Sequence, residues 1–352
     1  MADMDITMNI MAKIQTRAVF IAVMLMCMCS VLLLSGCRNY DSTDENIDDT
    51  TGETALEVNV DEAEKADDLR SGKIIWDDVI YTYNDHLSNF LFMGVDKEEL
   101  VDTTVGNADA GQTDALFLLS WDRVTDDVTV ISIPRDTMTT INVFSKDGTD
   151  LGPTEQHISL AFGYGDGKHE SCKLTKEAVS RLFYRIPIQG YCAMTLDALV
   201  EMNVILGEVT VTVPNDSLEK RAPEMKMDSE VEITTENIEL FVRYRDIEVD
   251  NSALLRLERQ NVFLNACYKK ILQEFDTNPG IITDLYEGLT PHMVTNIGND
   301  QFVKIMESLA EGGTVTQWTV PGEGVTTDSF DEYQVDEDAF YEQILESFFE
   351  KE

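Results

Sequence analysis

The chain has 352 residues, and 26 Lys+Arg against 66 Asp+Glu give it a formal net charge of −40, while 43% of its residues are hydrophobic. That apolar share suffices for the core of one large domain or two small ones and excludes wholesale disorder. The negative field repels nucleic-acid phosphates and anionic lipid head groups, so no nucleic acid is expected as a partner.

The N-terminus carries Lys13 and Arg17 ahead of an apolar run, Ala18 to Leu34, broken only by Ser30. A charged stretch before an apolar one is the arrangement of an export signal. The run closes in Leu34-Ser35-Gly36-Cys37, which resembles the lipobox of bacterial lipoproteins, where the thiol is acylated and the chain is cut just before it. Residues 1–36 are therefore expected to be a lipoprotein signal peptide, with Cys37 as the lipidation site. The alternative is a single uncleaved N-terminal transmembrane helix. Either anchor puts the remainder on the extracytoplasmic face of a bacterial cell membrane.

Residues 37–75 read as an acidic flexible tether, because between Asp41 and Arg70 twelve acids face only Lys65 and Arg70. Beyond it the pattern is that of a folded domain over 76–352. Asn89–Val95, Ala115–Leu119 and Val128–Ile133 are nearly continuous apolar or β-branched runs, as expected of strands covered on both faces. Leu174–Phe183 and Leu196–Leu206 have helical spacing, and Glu208–Val213 alternates like a half-covered strand. Thr234-Thr235-Glu236 starts a helix through Ile238 to Tyr244, and a longer helix runs from Ala253 to Glu274. Phe302–Leu309 reads as a helix, Thr314–Val320 as a strand and Asp336–Phe349 as a closing helix. This interleaving predicts one α/β domain, a layered central mixed β-sheet flanked by helices.

Several familiar chemistries lack their motifs. There is no H-E-x-x-H, G-x-S-x-G, G-x-x-x-x-G-K-[ST] or strand-linked G-x-G-x-x-G, and the four His are scattered. The glycines of Phe162–Gly167 read as a plain turn. Cys172, Cys192 and Cys267, the cysteines of the exported part, lack metal-ligand spacing and read as buried small hydrophobes, with one disulfide at most.

The few arginines stand out in so acidic a chain. Arg135 follows a central strand in Ile133-Pro134-Arg135-Asp136, Arg243 and Arg245 flank Tyr244, and Arg256 and Arg259 sit on the long helix. Ligands of open sheets bind beyond the carboxyl ends of strands, where Arg135 falls. Asp96 closes Gly94-Val95-Asp96 and Asp114 precedes Ala115–Leu119, so both acids reach the same crevice. Guanidinium groups fork onto phosphate oxygens, and two carboxylates with phosphate and water complete an Mg²⁺ shell, which points to a metal-assisted pyrophosphate site. Within a helix Arg243 and Arg245 point to opposite sides, whereas in extended chain both address one face. Of Arg256 and Arg259, one faces a ligand fully and the other is marginal.

Gly94-Val95-Asp96, Thr113-Asp114, Ser132-Ile133-Pro134-Arg135-Asp136-Thr137, Phe241-Val242-Arg243-Tyr244-Arg245-Asp246 and Arg256-x-x-Arg259-Gln260, in this order, closely resemble the LytR-CpsA-Psr family of bacterial cell-wall ligases. The resemblance implies an extracytoplasmic, membrane-held α/β phosphotransferase. Such a protein moves a phosphoglycan, teichoic acid or another anionic or capsular wall polymer, from a polyprenyl pyrophosphate carrier onto peptidoglycan. It further implies that Asp96 and Asp114 hold Mg²⁺ or Mn²⁺, that Arg135, Arg243, Arg245, Arg256 and Gln260, with Gln112, bind the pyrophosphate, and that Arg135 and Asp136 are the catalytic residues. Asp136 is expected to orient Arg135 or to act as general base. Family members usually show Arg-Ser-Asp where this chain has Gln112-Thr113-Asp114, so Gln112 places a neutral amide where a phosphate-binding cation is usual. The alternatives are a non-catalytic polyprenyl-phosphate-binding scaffold, which Gln112 motivates, and a secreted Mg²⁺-dependent pyrophosphatase.

Overall fold

A computed structural model describes residues 73–352 apart from 247, 248, 250, 251, 276, 312, 313 and 328–330. The signal segment 1–36, Cys37 and nearly all of the tether lie outside the described residues. The tether's last three positions do not: Lys73–Trp76 is a strand that pairs with Val79–Tyr83, so ordered chain begins before residue 76.

The apolar runs form the middle of a six-stranded mixed sheet. Its strands are β1 (Leu87–Val95), β2 (Thr113–Asp122), β3 (Val128–Ile133), β4 (Gly190–Met194), β5 (Met293–Thr295) and β6 (Val315–Thr319), in the order β5-β4-β1-β2-β3-β6. β2 is antiparallel to both β1 and β3, while β4 runs parallel to β1 and β6 parallel to β3. Every residue of β1 is buried, the pattern of a strand covered on both sides.

Helices α1 (His169–Leu182), α2 (Asp197–Leu206), α3 (Ile238–Arg243), α4 (Ser252–Phe275), α5 (Ile281–Leu289), α6 (Asn299–Glu311) and α7 (Glu337–Phe348) complete the layers. Phe90, Phe92, Ala115 and Phe117 pack with residues of α2 to α6 on one face. Leu91, Met93, Leu116 and Leu118 pack with α1 and α7 on the other. Alternate residues of the same strands thus feed two cores, and the domain is a helix–sheet–helix sandwich. α7 begins at Asp336, whose carboxylate accepts from Ala339 N at 3.2 Å and caps the helix.

The alternating stretch near 208–213 does form a strand, Val209–Thr212, but it pairs with Glu230–Ile233 outside the central sheet. Two further hairpins border the site, Met138–Phe144 with Asp150–His157 and Gly322–Thr326 with Asp331–Val335. Cys172, Cys192 and Cys267 are buried free thiols.

Candidate functional site

Three neighbouring strands end or begin at one edge of the sheet. β1 finishes at Val95 with Asp96 next, β2 starts at Thr113-Asp114, and β3 finishes at Ile133, followed by Pro134-Arg135-Asp136. Gly94 pairs with Ala115 but Val95 pairs with Thr113, so Asp114 is the extra residue of a β-bulge. Strict alternation would aim Asp114 to the Leu116 side of the sheet. The bulge turns it toward α4, which covers the Ala115 side, and Arg256 on α4 donates from Nη1 to Asp114 Oδ2 at 3.1 Å. Arg135 Nη1 binds the other oxygen of the same carboxylate.

Arg135 is fixed on three sides. Its Nε donates to Asp136 Oδ1 at 3.1 Å and its Nη2 to Gln112 Oε1 at 2.7 Å. Its carbonyl accepts from Ser159 N at 3.2 Å. Gln112 links this group to the remaining acid, because its N–H donates to Asp96 Oδ1 at 2.6 Å while Asp96 N–H returns a bond to Gln112 O at 3.0 Å. Just before it, Gly111 has φ +102°, and a Cβ there would lie 2.5 Å from Asp96 Oδ1. Only glycine leaves the Asp96 carboxylate its place.

Arg243 is the last residue of α3, where it pairs with Glu239 one turn earlier at 3.0 Å. Tyr244 is extended (φ −55°, ψ 134°). The chain direction therefore changes between the two arginines, and neither the purely helical nor the purely extended reading of this stretch holds. Arg245 donates from Nε to Ser252 Oγ at 2.7 Å and from Nη2 to Asp331 Oδ2 at 3.0 Å. Arg259 turns away from the cleft. It donates from Nε to Phe241 O at 2.8 Å and from its terminal nitrogens to Tyr244 O and Ser217 Oγ, holding the backbone where α3 gives way to Arg245. Gln260 Nε2 does similar work on Val242 O at 3.0 Å and also lines the cleft.

Burial is the leading influence on these guanidinium groups. It lowers Arg135, Arg243, Arg256 and Arg259 from their ordinary values, Arg256 and Arg259 to about 10. Asp136 works in the opposite direction on Arg135 and Arg256, and the mutual repulsion of Arg135, Arg245 and Arg256 adds to the lowering of Arg135. All stay charged at neutral pH, and Arg135, Arg243 and Arg256 are each paired with a carboxylate, so an anion that takes the place of those acids meets guanidinium groups at low dielectric, where attraction is stronger than on an open surface.

The cleft is lined on one side by Asp114, Arg135, Asp136, Arg256, Leu257 and Gln260. Gly324, Asp331, Glu332 and Tyr333 of the 322–335 hairpin form the other side. The hairpin is seated by Tyr333, whose N–H donates to Asp136 O and whose hydroxyl donates to Val320 O, both at 2.8 Å. Sequence reasoning missed this wall and missed Gly111; only the Gly-Gln-Thr-Asp run beside a strand start hinted at the second.

Among the described residues no group of three or more His, Cys, Asp or Glu forms a metal-holding cluster. Asp96 and Asp114, at adjacent strand ends and joined through Gln112 and Arg135, are a two-carboxylate oxygen set. Carboxylate oxygens are the donor type that Mg²⁺ and Mn²⁺ take, and two of them are too few to enclose a metal without phosphate oxygens and water.

Residues 46–347 match the family model described as LytR_cpsA_psr. No curated protein matches the chain. Among solved structures, the chain is similar to gbs0355 from Streptococcus agalactiae (20% identity, TM-score 0.56, 74% of this chain and 87% of that one). It is also similar to TagV from B. subtilis (20% identity, TM-score 0.54, 75% and 96%). TagT, in a structure bound to LI-WTA, aligns at 18% identity with a TM-score of 0.55 over 75% of this chain and 90% of that one. At these identities the likeness establishes the fold.

Proposed function

The chain belongs to the LytR_cpsA_psr family, and on that footing we propose that it transfers a phosphoglycan from a polyprenyl pyrophosphate carrier to peptidoglycan outside the cytoplasm. The observation that carries this reading is the Asp114 carboxylate held between Arg135 and Arg256 at the sheet edge and linked to Asp96 through Arg135 and Gln112. A diphosphate offers the oxygens that such a group of guanidiniums is shaped to receive. That a family member of the same fold has been seen with LI-WTA supports a wall-polymer substrate.

Arg135 and Arg256 take phosphate oxygens in place of those of Asp114, and Arg245 and Arg243 extend the positive field along the same side. Asp136 keeps the Arg135 fork in plane through Nε, an orienting role. A hydroxyl of the peptidoglycan glycan attacks the glycan-bearing phosphorus in line. The new P–O bond forms as the bridging P–O bond breaks, polyprenyl phosphate leaves with the electron pair, and the proton of the attacking hydroxyl passes to solvent water. The arginines stabilise the charge that gathers on that leaving group, which is where electrostatic catalysis of phosphoryl transfer acts. Asp96 and Asp114 would hold Mg²⁺ or Mn²⁺, whose chemistry when bound is to neutralise pyrophosphate oxygens. We assign residues 1–36 to export and Cys37 to lipid anchorage, which keep the site near membrane-borne substrate.

The full-length protein, incubated with a synthetic polyprenyl-pyrophosphate-linked glycan, Mg²⁺ and peptidoglycan oligomers, is expected to yield glycan joined to the oligomer by a phosphodiester. Free phosphorylated glycan as sole product would instead identify a pyrophosphatase. Retention of intact lipid with no turnover would identify a scaffold, the reading that the neutral Gln112 favours.

A further inference from the structure

Resting on the pyrophosphate reading of this site, we propose that Asp331 is an internal competitor for the substrate's phosphate, a positioning residue that occupies Arg245 and sets how tightly the site takes a diphosphate. The four arginines assigned to the anion are each matched by a carboxylate: Arg135 by Asp114 and Asp136, Arg256 by Asp114, Arg243 by Glu239 and Arg245 by Asp331. The first three arrangements use acids of the sheet edge or of the same helix. Asp331 differs, because it comes from the 322–335 hairpin, which joins the site edge through Tyr333 and one bridge to Thr137.

The geometry suits exchange with an anion. Arg245 presents Nη2 to Asp331 Oδ2 at 3.0 Å while Ser252 Oγ accepts from Nε at 2.7 Å. A phosphate oxygen replacing the carboxylate therefore meets a guanidinium already fixed by its other nitrogen. Asp331 lines the same cleft as Arg135 and Arg256 and is 30% exposed, so it can withdraw into water without leaving a buried charge behind. Its other oxygen accepts from Thr326 Oγ1 across the hairpin at 3.1 Å, which holds the carboxylate in place when no anion is present. Bound pyrophosphate must displace this contact, so affinity is lowered by the strength of one partly exposed ion pair.

The test measures binding of inorganic pyrophosphate, by calorimetry, to the full chain and to Asp331→Asn. The amide variant is expected to bind about two- to fivefold more tightly. The gain should vanish in an Arg245→Gln background and be reversed by Asp331→Glu, neither of which a merely structural role would produce. Equal or weaker binding by a folded Asp331→Asn, with Arg135→Ala still abolishing the wild-type interaction, overturns the proposal and leaves the pyrophosphate site standing. Absence of pyrophosphate binding in wild type and variant alike overturns both.

Discussion

Arg256 Nη1 and Asp114 Oδ2 meet at 3.1 Å across 142 positions of sequence, with side chains only 4% and 3% exposed. The carboxylate also serves Arg135, so its removal leaves two guanidinium groups in low dielectric with a partner lost. Asp114→Ala is expected to destabilise the domain by about 3–5 kcal/mol, the cost of stranding buried charge. Asp114→Asn should cost nearly as much, because the deficit is charge and not volume, while Arg256→Met should cost less, since Asp114 keeps Arg135. Urea unfolding with an unchanged m-value checks the order; Asp114→Ala within about 1 kcal/mol of wild type removes the electrostatic account of this pair.

Gly111 gives a way to move Asp96 without altering its charge. A Cβ at its φ of +102° would stand 2.5 Å from Asp96 Oδ1 and 3.0 Å from Val95 Cγ1. Gly111→Ala therefore carries a backbone cost of about 1 kcal/mol together with displacement of the carboxylate. Gly207→Ala is the control, with φ +72° and nothing within 4 Å of its Cβ, and should show the backbone cost alone. Mn²⁺ titration in the presence of pyrophosphate, followed by electron paramagnetic resonance, should weaken for the first variant and not for the second.

What the sequence reveals about this molecule tracks how local the physics is. β1 and β3 are legible because burial on both faces leaves a nearly continuous apolar or β-branched run, and α4 because a long helix repeats its pattern many times. Arg135 is legible as the residue just past a strand end. The aim of Asp114 is not, since a bulge is a backbone event that any residue type permits, and the sense of Asp114 reverses on it. Arg256 and Arg259 are adjacent on the helix surface, and only the tertiary position of the Phe241–Tyr244 carbonyls decides that Arg259 serves the backbone. The 322–335 hairpin carries mostly polar strands, and Tyr333 seats it by docking on Asp136 and Val320, contacts with no trace in a local window. The roles of the site residues came from family likeness, because ion pairs among abundant carboxylates are the default fate of an arginine in such a chain.

Burial pushes the Cys192 thiol up to about 12 and raises Cys172 and Cys267 well above the ordinary range. A thiol ionises near 8.5 in the unfolded chain, so between about pH 9 and 12 the unfolded state has released protons that the folded state retains. Stability contributed by the neutral thiols is complete below that window and falls as pH rises through it, by about 1.4 kcal/mol per pH unit for each. Urea midpoints at pH 7.5 and 9.5 should differ more for wild type than for Cys192→Ala. Iodoacetamide should label none of the three in the folded protein at pH 8 and all three in urea, read by peptide mass; labelling of Cys192 without urea contradicts its burial.

Gln112→Arg separates the stability of the empty site from its affinity. Arg135 Nη2 donates to Gln112 Oε1 at 2.7 Å, and an arginine has no acceptor to return, so the substitution removes that bond and sets a second guanidinium against Arg135. The empty protein should lose about 1–2 kcal/mol, offset in part by attraction to Asp96, whose carboxylate already lies against the residue 112 N–H. A bound diphosphate reverses the sign, because a further charge-assisted bond strengthens binding by about 1.5 kcal/mol or more, roughly tenfold. Urea unfolding and pyrophosphate calorimetry on the same variant should therefore move in opposite directions, and the salt dependence of binding should steepen. If stability falls and affinity does not rise, residue 112 serves only to hold Arg135 and makes no approach to the anion.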